Sequence, residues 1–187
     1  MKNLYLIRHG KTEANLRHLY CGSTDLPLSE AGIRELEEKR IQIPDVEFRI
    51  SGMLRTRQTL RILFGEVPFL VDSRFREVDF GVFEMKSYEQ LKDDPVYQKW
   101  ISGDNESNVP PNGESGIQMR SRVLDGVEEL LTGTQDVALI THGGVIAAVM
   151  DHLFPELGYS RYQWQPKPGG GYRICFLAPD KREYHPL

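Results

Sequence analysis

Short apolar segments alternate along this chain with stretches of helical periodicity, and each apolar segment leads directly into polar residues. The first, Asn3 to Arg8, is typical of a buried strand and runs into the polar cluster that begins at His9. Three further segments have the same form: Val46 to Ile50, Val67 to Val71 and Asp136 to Thr141. Strands that alternate with helices in this way predict a mostly parallel central sheet covered on both faces, which is a three-layer α/β/α sandwich.

The helices between these strands are predicted from apolar spacing and from capping residues. The expected helices are Ser29 (as N-cap) to about Arg40, Leu54 to Phe64, Ser87 to about Ile101, Ile117 to Leu131 and Val145 to Phe154. Pro95 is expected either to occupy a first helical turn or to break the third of these helices. Tyr172 to Ala178 is expected to form the last strand.

Length and composition limit the classes of protein to which the chain can belong. Its 187 residues suit a single domain, 1–187, with a lid-like insertion around 86–116. The net charge of −4 argues against a nucleic-acid partner, and no apolar run approaches the ~20 residues that cross a bilayer, so no membrane partner is expected. The two cysteines lie in no metal-binding spacing and form no disulfide framework, which favours the cytoplasm.

Polar side chains follow the predicted strands at the points where the strands end. They are Arg8 with His9, the segment Ser51 to Arg55, the segment Arg74 to Glu77, and His142. The carboxyl ends of parallel strands meet at one edge of the sheet, where ligands bind in open α/β folds. We therefore expect two histidines, two arginines (Arg8 and Arg55) and the carboxylate of Glu77 to converge there.

This set of side chains suits phosphoryl transfer. Guanidinium groups donate charge-assisted hydrogen bonds to a phosphate dianion, and Gly143 with Gly144 at a helix start would bring backbone N–H groups close to it. One neutral imidazole can attack phosphorus and form a covalent phosphohistidine, while a second, protonated imidazole would stabilise the charge. Glu77 would donate a proton to the leaving oxygen and later accept one from water. No histidine spacing indicates a metal site, so no metal or other cofactor is expected.

Six motifs occur in order along the chain: LIRHGKTEAN from Leu6, GSTDLPLSEAG from Gly22, SGMLRTRQT from Ser51, REVDFGVFE from Arg76, NGES from Asn112 and THGGVI from Thr141. Together they resemble the histidine phosphatase superfamily, in its phosphoglycerate-mutase-like branch, over most of the chain. The resemblance implies a phosphoglycerate-mutase-like fold and a metal-independent phosphomonoester hydrolase that acts on a small phosphorylated metabolite.

The resemblance also implies a role for each residue that matches a motif of the family. The implied roles are His9 as nucleophile, Glu77 as proton donor, Arg8, Arg55 and His142 as phosphate clamp, Asn15 near the phosphate, and Gly22 and Ser23 at the pocket mouth. One position departs from the family, which often has Trp-Glu-Gly where this chain has Phe83-Glu84-Met85. The usual backbone turn at that glycine is therefore not predicted for Met85.

Two other interpretations of the same motifs remain open. The family's mutases carry insertions over the site for which 187 residues leave no room, so hydrolysis is favoured over transfer of phosphate within a substrate. The second alternative is a phospho-ligand binding module without turnover, against which the complete set of His9, Glu77 and His142 argues.

The substrate is predicted from one short segment, which is less specific than the six motifs. The tail from Trp164 to Gly169 is similar to bacterial α-ribazole phosphatases, which remove a 5′-phosphate in cobalamin synthesis. Sugar phosphates and phosphoglycerates fit the motifs equally well. The nearby aromatic residues Tyr159, Tyr162 and Trp164 are expected to pack in the core or a lid, with contact to a substrate's ring as the alternative.

Overall fold

A six-stranded sheet forms the centre of the computed structural model, which describes residues 2–39, 41–104, 106–178 and 181–187. The strands are β1 (Lys2–Arg8), β2 (Glu47–Ile50), β3 (Phe69–Val71), β4 (Val137–Thr141), β5 (Gly171–Ala178) and β6 (Lys181–Pro186). Their order across the sheet is β3-β2-β4-β1-β5-β6. The first four in this order are mutually parallel, which confirms the predicted α/β class with a mostly parallel sheet.

Eight α-helices in the described residues surround this sheet. They are α1 (Glu13–Leu16), α2 (Glu30–Glu37), α3 (Leu54–Phe64), α4 (Tyr88–Leu91), α5 (Pro95–Ile101), α6 (Gly116–Thr132), α7 (Gly143–Leu153) and α8 (Arg161–Trp164). None of them combines the length and the apolar character that crossing a bilayer requires.

The structure departs from the predicted elements in three segments. The helix expected over Ser87 to Ile101 is two short helices, because Pro95 starts a new helix that Asp94 caps by accepting from two backbone N–H groups. Strand β5 runs antiparallel to β1, and β6, which sequence reasoning missed, continues as a hairpin at the sheet edge. The helix predicted to run to about Arg40 ends at Glu37, and Arg40 itself lies outside the described residues.

The core lies on both faces of the sheet because successive strand residues point to opposite sides. Leu4 and Leu6 of β1 pack with Leu139 of β4 in the cluster that includes α6 and α7. Ile7 and Ile140 pack on the other face, in the cluster that includes Leu60 of α3. This packing holds the carboxyl ends of β1, β2 and β4 together at one edge.

Met85 adopts a left-handed backbone conformation, with φ of 62°. Its N–H donates to the Tyr20 carbonyl at 2.7 Å, which holds the turn in place. The turn is thus formed without the usual glycine, although a side chain in this region of backbone conformation is disfavoured by about 1–2 kcal/mol.

Met85→Gly is expected to stabilise the protein by about 0.5–1 kcal/mol, since relief of the backbone strain exceeds the entropy that glycine loses on folding. Urea denaturation of both proteins measures the difference. Lys86→Gly is the matched control, because Lys86 has an ordinary φ and the same replacement there should destabilise. A loss of stability in Met85→Gly as large as in the control would contradict the strain argument.

Candidate active site

His9 lies buried directly after β1, held by a hydrogen bond from its backbone N–H to the Thr141 carbonyl of β4. Its Nδ1 is 2.6 Å from the Gly10 carbonyl oxygen. Because a carbonyl oxygen only accepts, Nδ1 carries the proton and Nε2 keeps a lone pair. Burial and the cationic Arg55 lower the pKa of His9 to about 3. At neutral pH the residue is therefore a neutral imidazole with a free Nε2.

His142 stands at the end of β4 as the N-cap residue of α7, with its ring centroid 5.1 Å from that of His9. Arg55 Nε donates to its Nδ1 at 3.3 Å. Burial, Arg55, His9 and Arg8 together lower the pKa of His142 well below its ordinary value. The protonated form expected from the sequence is therefore wrong for these surroundings, because the groups around the ring are cationic and shield it from water.

A short chain of hydroxyl groups fixes the other nitrogen of His142. Thr56 Oγ1 donates to the Met53 carbonyl at 2.7 Å, so its oxygen accepts from the Ser51 hydroxyl at 3.2 Å. Ser51 Oγ in turn accepts from His142 Nε2 at 2.8 Å. Sequence reasoning placed Ser51 at the site without a role and missed Thr56. Both hydroxyl groups are fully buried, and their position after β2 was the available signal.

Arg55, in the first turn of α3, is 1% exposed and reaches the loop at 22–24. Its Nη1 donates to the Thr24 carbonyl at 2.9 Å and its Nη2 to the Gly22 carbonyl at 2.8 Å. Glu84 holds the same loop from the other side, since its carboxylate accepts from the N–H groups of Gly22, Ser23 and Thr24. The guanidinium is thus positioned by the protein's own backbone.

Arg8 presents an unsatisfied donor at the same edge. Its Nη1 donates to the Pro166 carbonyl at 2.8 Å, whereas its Nε is buried without a hydrogen-bond partner among the described residues. The guanidinium lies against Gly143, where a Cβ atom would come within 3.0 Å of Cζ. An orphaned, charged N–H of this kind fits an anionic ligand, because burying it unpaired is costly.

Glu77 sits at the N-terminus of α7. Its Oε2 accepts from the Gly144 N–H at 2.9 Å, and its Oε1 accepts from the Val78 N–H at 3.0 Å. The Gly144 N–H that the sequence assigned to phosphate therefore binds the carboxylate instead. The guanidinium of Arg122 on α6 holds the preceding backbone by donating to the carbonyls of Arg74, Arg76 and Glu77.

Gly144→Ala is expected to lower kcat for alkyl phosphates by about 10–100-fold, because a Cβ atom at 144 would clash with the Glu77 carboxylate and displace it. Steady-state phosphate release measures the effect. Gly133→Ala is the matched control, since its Cβ would meet nothing closer than 3.7 Å. Equal activity in the two variants would contradict the assigned position of Glu77.

The remaining predicted residues have structural partners. Asn15 Oδ1 accepts from the backbone N–H and the hydroxyl of Thr12, which caps α1. Ser23 Oγ donates to Asp79 at 2.8 Å. Gly22 is required by packing, because a Cβ there would overlap the Val78 carbonyl. Contact of these three residues with a substrate stays a prediction.

The two lowered histidine pKa values predict that acid destabilises the fold. The native state binds fewer protons than the unfolded chain as pH falls from 6.5, the ordinary histidine value, towards 3. For His9 alone the free energy of unfolding should drop by about 2 kcal/mol between pH 7 and pH 5, and His142 acts in the same direction. Urea denaturation at pH 7 and at pH 5 measures this drop in the free energy of unfolding. The drop should be smaller by about 2 kcal/mol in His9→Asn than in the wild type. An identical drop in the variant would contradict the burial argument.

Comparison with known proteins matches this chain to one family. The family model of the histidine phosphatase superfamily (branch 1) matches residues 4–176. An adenosylcobalamin/α-ribazole phosphatase of Salmonella typhimurium is 29% identical over 95% of this chain and 89% of its own length.

Solved structures agree with this match. The α-ribazole phosphatase of Shigella flexneri has a TM-score of 0.86 at 24% identity, covers 99% of this chain and 95% of its own, and supports the fold alone. A phosphoglycerate mutase of Thermus thermophilus has a TM-score of 0.74 at 30% identity, over 97% of this chain and 96% of its own. The fold is thus phosphoglycerate-mutase-like.

Proposed function

Because the chain belongs to the histidine phosphatase superfamily (branch 1) and is a phosphatase, we propose that it hydrolyses phosphomonoesters through a phosphohistidine formed on His9. The observation that carries the proposal is the neutral His9 ring, whose Nδ1 proton is bound to the Gly10 carbonyl and whose Nε2 is free. A nucleophile needs this tautomer, because only an unprotonated nitrogen can attack phosphorus.

In the first step, His9 Nε2 forms a bond to phosphorus while the bond from phosphorus to the ester oxygen breaks. Glu77, as the carboxylic acid, transfers its proton to that oxygen, and the alcohol leaves. In the second step water attacks the phosphohistidine, Glu77 takes one proton from the water, and the Nε2–P bond breaks. Inorganic phosphate then leaves and both side chains return to their starting forms.

The arginines and His142 stabilise the transferring phosphoryl group. Arg8 Nε supplies a buried donor that is otherwise unpaired among the described residues. His142 acts as a neutral ring, because its Nδ1 accepts from Arg55 Nε and thereby orients that guanidinium for the phosphoryl group.

The proposed substrate is a small phosphorylated metabolite, with α-ribazole-5′-phosphate as the first candidate. The support is the Salmonella relative that is named for this activity and matches along nearly the whole chain. The Thermus relative is named as a mutase, which makes isomerisation of a phosphoglycerate the second candidate.

Rapid mixing with α-ribazole 5′-[³²P]phosphate, followed by quenching in base, tests the mechanism. The expected result is an acid-labile, base-stable label on the peptide that contains His9. An acid-stable label, or label elsewhere, would overturn the proposal. Release of inorganic phosphate distinguishes the two candidate reactions, since a mutase returns an isomer of 3-phosphoglycerate and almost no free phosphate.

A further inference from the structure

A cavity of about 350 Å³ lies beside the candidate active site, and its lining is rich in aromatic side chains. The aromatic residues are Tyr20, Phe80, Tyr97, Trp100 and Tyr162, and we refer to this space as the aromatic cavity. Such a volume is of the size that small-molecule ligands occupy.

Two lining residues of the aromatic cavity contact residues of the candidate active site. Val78 follows Glu77 and donates its backbone N–H to the Glu77 carboxylate. Gln165 has its side-chain oxygen at Gly143, beside the Arg8 guanidinium. A phosphoester bound at His9 would therefore place its leaving alcohol at the entrance of this cavity.

One wall of the aromatic cavity is a preformed cluster of rings. Tyr20 packs at 5.0 Å from Phe80 and at 5.7 Å from Trp100, measured between ring centroids. Its hydroxyl is hydrogen-bonded to that of Tyr97 at 2.7 Å, and burial with this bond raises the pKa of Tyr20. The wall thus presents rigid, uncharged aromatic faces, which favour a planar ring.

The charged groups of the lining are paired within the protein. Arg161 forms an ion pair with Glu106, and Glu114 binds Arg122 at 2.6 Å. The described lining therefore offers no unpaired cation for a carboxylate or a second phosphate. Buried recognition of such anions needs charged donors, so the geometry disfavours a phosphoglycerate as leaving group and favours an uncharged one.

Tyr162 stands apart from the packed rings because it is 76% exposed on α8. The neighbouring Trp164 is buried at 1% and packs against Phe154 and Tyr184, so it belongs to the core. Tyr159 packs its ring 4.9 Å from that of Trp164 and does not line the aromatic cavity. Of the three aromatic residues considered from sequence, Tyr162 is therefore the one placed to contact a substrate's ring.

We propose that the aromatic cavity binds a planar, uncharged heteroaromatic ring carried by the leaving alcohol, with Tyr162 stacking on that ring. This assignment rests on the proposed function, because it names the group from which His9 removes phosphate. It makes Tyr162 a residue that determines specificity and has no part in the chemical steps.

The test compares two 5′-phosphates that differ at C1 of the ribose, which carries a hydroxyl group in one and the heteroaromatic ring in the other. Ribose 5-phosphate and α-ribazole 5′-phosphate share the same primary alcohol as leaving group, so the ratio of their kcat/KM values measures ring recognition. We expect a ratio of at least about 10 for the wild type in favour of the ring-bearing ester, and a fall of about tenfold in this ratio for Tyr162→Ala. Tyr162→Phe should keep the ratio, as should the control Leu70→Ala, whose exposed side chain lies on β3 outside the described lining.

Binding of dephosphorylated α-ribazole, measured by calorimetry, gives a readout that is independent of catalysis. The wild type should bind it, and Tyr162→Ala should weaken binding by about tenfold. A ratio near 1, or equal ratios in wild type and Tyr162→Ala, would overturn the ring assignment while phosphate release still upholds the proposed function. Riboside binding that depends on Tyr162, without phosphate release or label on His9, would sink the proposed function and leave the ring assignment standing.

Discussion

His9→Asn is expected to lower kcat for phosphomonoester hydrolysis at least about 10⁴-fold, because the variant lacks the nitrogen that forms the phosphoenzyme. Asparagine has a volume and polarity close to those of the imidazole, and its amide can still donate to the Gly10 carbonyl that His9 Nδ1 contacts. Arg8, Arg55 and His142, which are proposed to bind phosphate, remain in place. The variant should therefore bind inorganic phosphate and form no covalent intermediate.

Steady-state phosphate release and ³²P trapping measure the two properties separately. His152→Asn is the matched control, since this exposed histidine in the last turn of α7 should have no effect on either. Retention of more than a tenth of wild-type activity by His9→Asn, or an unchanged yield of labelled protein, would show that another residue carries the phosphoryl group.

Glu77→Gln is expected to lower kcat for alkyl phosphates by about 10²–10⁴-fold, because an amide cannot protonate the leaving oxygen. The rate of the first step should fall much less for p-nitrophenyl phosphate, because its leaving phenolate needs no proton. In the second step, the attack of water on the phosphohistidine, the variant still lacks the base that accepts the proton of the water. Rapid mixing should therefore show a burst of one equivalent of nitrophenolate, with phosphohistidine accumulating on His9.

The control for this variant is Glu89→Gln, which alters an exposed carboxylate on α4 that forms an ion pair with Lys92. Its kinetics should match the wild type for both esters. An equal loss for alkyl and p-nitrophenyl esters in Glu77→Gln, without a burst, would mean that Glu77 positions the substrate and transfers no proton.

The convergence of His9 and His142 could be predicted from the sequence, because the argument needed only the ends of the strands. His9 and His142 follow neighbouring parallel strands, and the pairing of β1 with β4 brings their rings within 5.1 Å. The helix of Arg55 was predicted with correct bounds, since Gly65 ends the apolar pattern at Phe64.

Other features of the site depend on packing that a sequence pattern does not contain. The protonation of His142 follows from burial beside two arginines, and the binding of the Gly144 N–H to Glu77 follows from the approach of one loop to a helix start. Strand β6 was missed because its charged sequence, Lys181–Pro186, lacks the apolar alternation of a half-buried strand.

The close packing of Arg8, Arg55 and the two histidines also sets the charge that an ester must bring. A phosphomonoester carries nearly two negative charges at neutral pH and can offset both guanidinium groups, whereas a phosphodiester carries one and leaves one guanidinium uncompensated. Arg55 is tethered to the carbonyls of Gly22 and Thr24, so its charge stays in the site. Nucleic-acid backbones and phospholipid diesters should thus be rejected on charge. Because Arg55 is held in this way, the discrimination between monoesters and diesters requires no movement of its side chain.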